Sequence, residues 1–98
     1  MQASHRESSV LVQRANDVDR CMQALSKEGY TPVSVHITET YAAIEIRTTP
    51  HCKKLFGREA KIVNLPSGRF QVMQVVIHNV HVQWLRPFSY HPGNGSVH

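Results

Sequence analysis

The sequence predicts an α+β domain, a mostly antiparallel sheet of about five strands with one long helix and one short helix on one face. Three observations predict this class. One segment carries apolar residues at the spacing of an amphipathic helix, and several other segments alternate apolar and polar residues as strands do. Gly, Pro and Asn residues separate these segments where the chain must turn. The predicted order of elements is β-α-β-β-α-β-β.

A strand and the main helix are predicted first. Residues 9–13 place two valines on one face of a strand. In residues 17–28, four apolar side chains share one helical face: Val18, Cys21, Met22 and Leu25. Asn16 is suited to cap the first turn of this helix, and Gly29 is suited to a left-handed exit.

Two antiparallel strands follow the main helix. Residues 33–37 and residues 42–46 both alternate with a period of two. A turn near Glu39 and Thr40 would join them as a hairpin.

A short helix is predicted over residues 50–56. Thr49 is a good cap, and Pro50 suits the first helical position because its missing N–H would have no partner there anyway. Gly57 suits the position just past the end. The residues available to pack against the sheet are Cys52, Leu55 and Phe56.

The second half ends in further strands. A hairpin is predicted with Pro66 and Gly68 in its turn and Arg69 at its tip, and a last strand runs over residues 80–85 until Pro87 ends it. Between them, His78 and Asn79 form a turn, or one long bent strand runs through. The side chains of Phe70 and Trp84 are expected in the core because of the alternation around them.

A chain of 98 residues has the size of one domain. The predicted organisation is a flexible N-terminus over residues 1–8, a single domain over residues 9–88 and a disordered tail over residues 89–98. The first six elements follow the split βαβ pattern of ferredoxin-like folds, although the second helix is short for that pattern and the last strand exceeds it.

Charge is distributed unevenly along the chain. Residues 1–46 hold four bases and six acids, a net −2, whereas residues 47–98 hold seven bases and one acid, a net +6. Such an imbalance favours a polyanionic partner, with nucleic acid as the first hypothesis and an acidic protein surface as the alternative. The predicted nucleic-acid contacts are Arg47, Lys53, Lys54, Arg58, Lys61 and Arg69.

The rival hypothesis is a protein-interaction module, an inhibitor or adaptor. Trp84, Arg86 and Phe88 would anchor such a partner, since Trp and Arg are frequent among binding hot spots. Open antiparallel sheets also leave edges, so a homodimer through a sheet edge is a further expectation.

No enzyme, cofactor or metal is predicted. His51 and Cys52 would diverge on a helix, and His78 and His81 would point to opposite faces of an unbroken strand. A zinc site would therefore need His78 and Asn79 to form a turn and the short helix to fold over it. The two cysteines are too few for a disulfide framework and are expected to be packed thiols. Without an apolar signal segment or membrane span, the chain is expected in the cytoplasm.

Overall fold

The structure is a computed structural model that describes the backbone of residues 2–88 and the side chains of residues 9–88. It contains one α-helix, one 3-10 helix and five strands. In chain order these are α1 (Gln2–Lys27), β1 (Pro32–Ile37), β2 (Ala42–Ile46), the 3-10 helix (Pro50–Leu55), β3 (Arg58–Leu65), β4 (Gly68–Ile77) and β5 (Val80–Pro87).

The five strands form one mixed sheet in the order β1-β2-β5-β4-β3. Three of the four neighbouring pairs are antiparallel. The exception is β2 with β5, which run parallel with Ile44 opposite Val82. A parallel pair needs a long crossover, and here the crossover consists of the 3-10 helix and the β3–β4 hairpin.

One face of the sheet carries the hydrophobic core. Ile44, Val80 and Val82 are almost completely buried there. The C-terminal half of α1 packs on them through Val18, Cys21 and Leu25, and the 3-10 helix adds Cys52 to the same cluster. The side of α1 that the sequence assigns to the core is therefore the side that packs.

The other face of the sheet, called the open face below, is not covered by α1 or by the 3-10 helix. Residues directly opposite one another on neighbouring strands point to the same side, so the strand register identifies its members. Val72 belongs to the open face, together with its partners Leu85 and Lys61. Gln83 and its partner Glu45 belong to it as well. Val72 is buried, yet it lies outside the core cluster.

The predicted strand over residues 9–13 is wrong, because these residues lie inside α1. Val10, Leu11 and Val12 are exposed on the helix surface. No glycine or proline precedes Gly29, so no helix-breaking residue interrupts this segment. The C-terminal half of α1 is stabilised by packing, and the helix extends cooperatively from it towards the N-terminus. Asn16 lies within this helix and is not its cap.

The α+β class is confirmed, but the element order is α-β-β-3-10-β-β-β and not β-α-β-β-α-β-β. The split βαβ pattern of ferredoxin-like folds is therefore not formed. The second helix is a six-residue 3-10 helix, in which Thr49 makes no side-chain capping bond. The left-handed residue at its end is Phe56, with φ 52° and ψ 45°, and not Gly57.

Several turns are confirmed. Gly29 ends α1 with φ +91°, and Gly68 begins β4 with φ +140° after the Pro66 turn. His78 and Asn79 form the tight β4–β5 turn, both with positive φ, which decides between the two alternatives left open by the sequence. Residues 2–8, expected to be flexible, are part of α1, and the expected disordered tail over residues 89–98 lies outside the described residues.

Candidate binding pocket

A pocket of about 510 Å³ opens between the 3-10 helix and the C-terminal end of β5. It lies on the core side of the sheet, where the strands extend beyond α1. Its walls combine apolar and cationic side chains. The lining residues include Cys52, Lys53, Phe56, Met73, Trp84 and Arg86.

The floor of the pocket is formed by the contact of Trp84 with Gly57. Trp84 is buried, with 5% of its surface exposed, and its indole lies against the Cα of Gly57. A Cβ at residue 57 would lie 2.9 Å from Cζ2 of Trp84 and 3.1 Å from the carbonyl oxygen of Gln74. Glycine is therefore required at this position by the close approach of the two segments.

The rim of the pocket carries an aromatic side chain in full contact with solvent. Phe56 is 90% exposed, the largest exposed fraction among the large hydrophobic residues of the described part of the chain. Its left-handed backbone follows from the end of the 3-10 helix, where the Phe56 N–H donates to the carbonyl oxygen of Lys53 at 3.3 Å. The sequence indicated Phe56 as one of the residues available to pack, but the structure leaves its side chain exposed. The left-handed turn one residue before Gly57 points the ring outwards.

Two cations contribute to the pocket wall. Lys53 is exposed, and Arg86 is held in place by Gln71, whose Oε1 accepts bonds from Nε at 2.9 Å and Nη2 at 2.6 Å. Gln71 in turn donates to Oε1 of Glu59 at 2.7 Å. A guanidinium carries about five N–H donors, so donors remain for an incoming carboxylate.

The loop that leads into the 3-10 helix is fastened to β5 by a reciprocal pair of bonds. The Thr48 hydroxyl donates to the carbonyl oxygen of Leu85 at 2.7 Å, and the Leu85 N–H donates back to the same hydroxyl oxygen at 3.2 Å. The Cys52 thiol donates to the carbonyl oxygen of Arg47 at 3.6 Å. The loop between β2 and the 3-10 helix is thereby fixed at both ends, and the pocket is formed before any ligand binds.

The three protein-interaction residues predicted from the sequence separate in the structure. Trp84 and Arg86 line the pocket. Phe88 lies beyond the end of β5, where its N–H donates to the carbonyl oxygen of Arg69 at 2.9 Å and its ring lies 5.5 Å from the Arg69 guanidinium carbon. The pocket lining also includes Thr48 and Pro87, which the sequence did not single out.

The predicted basic cluster is spread over several surfaces. Lys61 pairs with Val72 and points to the open face, whereas Arg69 pairs with Asn64 and points to the other side of the sheet. Of the six predicted nucleic-acid contacts, Lys53 alone lines the pocket. Arg58 pairs with Gln74 and shares the open face with Lys61. Because successive residues of a strand point to opposite faces of the sheet, cations that are close in sequence do not form one patch.

His51 and His81 each contact another side chain, and Cys21 and Cys52 are both buried. His51 stacks on Tyr30 at 4.6 Å between ring centroids, and His81 Nδ1 lies 2.7 Å from Nε2 of Gln74. Cys21 and Cys52 are free and buried, and burial raises the pKa of Cys21 to about 11. Among the side chains of residues 9–88, no group of three potential metal ligands comes together.

Comparison of the chain with protein-family models, with curated protein sequences and with solved structures gives no match. The part of the chain that the structure describes contains no helix long and apolar enough to cross a lipid bilayer.

Proposed function

We propose that the protein is a non-enzymatic binding domain whose pocket docks a segment of another protein that carries an apolar side chain next to a carboxylate. The observation that carries this proposal is Phe56, which is 90% exposed at the mouth of a preformed apolar pocket. An aromatic side chain in water gains about 2 kcal/mol when a partner buries it. A partner could therefore cover the exposed Phe56 ring and insert an apolar side chain of its own into the pocket.

The backbone of Phe56 supports the same interpretation. A left-handed conformation costs a residue with a side chain about 1 kcal/mol, and Asn or Gly would adopt it at a smaller cost. Phe56 is nevertheless in this conformation, with φ 52°. Strain combined with exposure of a large apolar ring is typical of a binding position, because neither property stabilises the isolated domain.

The charge of the partner follows from the pocket wall. Lys53 and Arg86 flank the apolar floor, and the half of the chain that contains them has a net charge of +6. A carboxylate on the partner would be attracted during approach and held by the guanidinium after docking.

A selection from a random peptide library displayed on phage tests the proposal. Enriched peptides are expected to combine an aromatic or aliphatic residue with Asp or Glu. A synthetic peptide from this set should lose at least about tenfold in affinity for Phe56→Asn, measured by fluorescence polarisation.

Val76→Asn is the matched control, since Val76 is also an exposed apolar residue but lies on the open face. It should bind the peptide as the wild type does. Enriched peptides without acidic residues, or peptides that bind Phe56→Asn unchanged, would contradict the proposal.

Nucleic acid is the second candidate, supported by the surplus of cations after residue 46. A contact of this kind would weaken steeply with salt, because bound counterions are released from the phosphates. An electrophoretic shift with unrelated DNA and RNA over a salt series measures it, and Lys53→Glu combined with Lys54→Glu should abolish it. Salt-insensitive or absent binding would leave the peptide pocket as the sole candidate.

A further inference from the structure

We infer that the open face of the sheet is a homodimer interface, in which two copies pack their sheets against each other around a two-fold axis. This surface is on the side opposite the peptide pocket, and the inference does not depend on the proposed function. The open face is divided into an apolar part and a polar part. The apolar part consists of Val63, Leu65, Phe70, Val72 and Leu85.

The apolar part is large enough to need a cover. Leu65 is 42% exposed, and Val63, Phe70 and Leu85 are half-buried, although no helix of the described residues packs on them. A depression of about 250 Å³ on this face is lined by Val63, Leu65, Val72 and Leu85, together with Glu45 and Lys61. A sheet with one apolar and uncovered half is usually buried against another layer.

Charged residues border this depression on opposite sides. Glu45 lies on β2 at one border and Lys61 lies on β3 at the other. Arg58 is a second cation of β3 on the open face, level with Gln74 and outside the depression. In the strand order β2-β5-β4-β3 these borders are three strand spacings apart, about 14 Å. A single surface thus carries an acidic border, an apolar middle and a basic border.

This arrangement is complementary to a copy of itself. A two-fold axis that runs along the strands, between β4 and β5, places β2 of one copy over β3 of the other. Glu45 of each copy then faces Lys61 and Arg58 of the other copy. Leu85 faces Val72 of the other copy, and Gln83 faces Gln74, so apolar residues meet apolar residues and amides meet amides.

The same features argue against other occupants. A nucleic acid or an acidic protein segment would be attracted by Lys61 and Arg58, but it would also meet the Glu45 carboxylate on the same surface. Four strands over about six residues present roughly 400 Å² per copy, about 800 Å² in total, which is below the roughly 1,000 Å² expected of a stable specific interface. The dimer is therefore expected to be weak and to depend on concentration.

Sedimentation equilibrium of the full chain over roughly a hundredfold range of concentration tests the inference, with circular dichroism to verify that each variant is folded. The wild type should shift from monomer to dimer. Glu45→Lys or Lys61→Glu should each weaken the dimer about tenfold, because two attractions become two repulsions.

Recovery of dimerisation by compensating charges distinguishes a specific ion pair across this interface from a general effect of each substitution. The double variant with both substitutions should dimerise again, and so should a mixture of the two single variants, which should form a heterodimer in preference to either homodimer. Phe56→Asn, on the other side of the sheet, should leave the dimerisation constant unchanged. A chain that stays monomeric throughout the range would overturn the inference. So would a dimer that is insensitive to both charge reversals, because its contact would lie at a sheet edge.

Discussion

The backbone of Gly57 lies against the indole of Trp84 near Cζ2 and Cη2, a contact that joins the end of the 3-10 helix to β5. Trp84 is 5% exposed and belongs to the core cluster. This contact forms the floor of the pocket and fixes the position of Phe56 one residue earlier.

Gly57→Ala is expected to lower the free energy of unfolding by about 1–3 kcal/mol, because the new methyl group would overlap the indole and approach the Gln74 carbonyl oxygen. Urea denaturation measures the change. The same substitution in a Trp84→Leu background should cost less, since the smaller side chain leaves room. Equal costs in both backgrounds would show that the indole contact is not the cause.

Phe56→Asn is expected to raise the free energy of unfolding by about 0.5–1 kcal/mol, because Asn tolerates the left-handed backbone and the exposed ring contributes little packing. Thermal or urea denaturation measures it. Together with the expected loss of peptide binding, this variant would be more stable and less active than the wild type. A clear loss of stability would mean that the ring packs against the domain in solution.

Stability is expected to fall at high pH because of Cys21. Burial raises its pKa from 9.0 to about 11, so the unfolded chain loses this proton at a lower pH than the folded chain does. The protonated Cys21 thiol therefore contributes on the order of 2 kcal/mol to the free energy of unfolding. This contribution is complete below pH 9 and is lost as the pH rises to about 11.

The comparison variant is Cys21→Val, which has no thiol to titrate. Its free energy of unfolding, measured against pH by urea denaturation, should decline less between pH 9 and 11 than that of the wild type. A smaller decline of the same sign should remain, since the pKa of Tyr30 is also raised, by burial first and then by Cys52 and Glu28. Identical slopes for both proteins would refute the role of Cys21.

Two amide–carboxylate pairs on α1 allow a matched test of burial. Gln13 donates to the buried Asp17 at 3.2 Å, and Gln23 donates to the exposed Asp19 at 3.0 Å, each across four residues. Gln13→Ala should cost about 1 kcal/mol, because it removes a partner from a buried carboxylate, whereas Gln23→Ala should cost less than about 0.5 kcal/mol. Equal values in urea denaturation would speak against the burial of Asp17.

Local sequence patterns correctly predicted the elements in which apolar residues recur with a clear helical or strand period, and the turns that contain glycine. The apolar stripe of Val18, Cys21 and Leu25 packs as its helical spacing indicates, and the period-two segments 33–37 and 42–46 are strands. Gly29 and Gly68 mark turns because they adopt φ values that other residues avoid. The strand predicted over residues 9–13 failed because a run of three apolar residues fits a strand or a helix, and the continuing helix decides between them.

The sequence by itself determined the α+β class, the buried side of α1 and the positions of most turns, because these depend on residues close together in the chain. The tertiary structure alone decided that β5 lies between β2 and β4, that Lys61 and Arg69 point to opposite sides, and that Phe56 lies at the mouth of a pocket with Trp84 below it. These features depend on contacts between segments distant in sequence, and periodicity carries no information about which strand pairs with which.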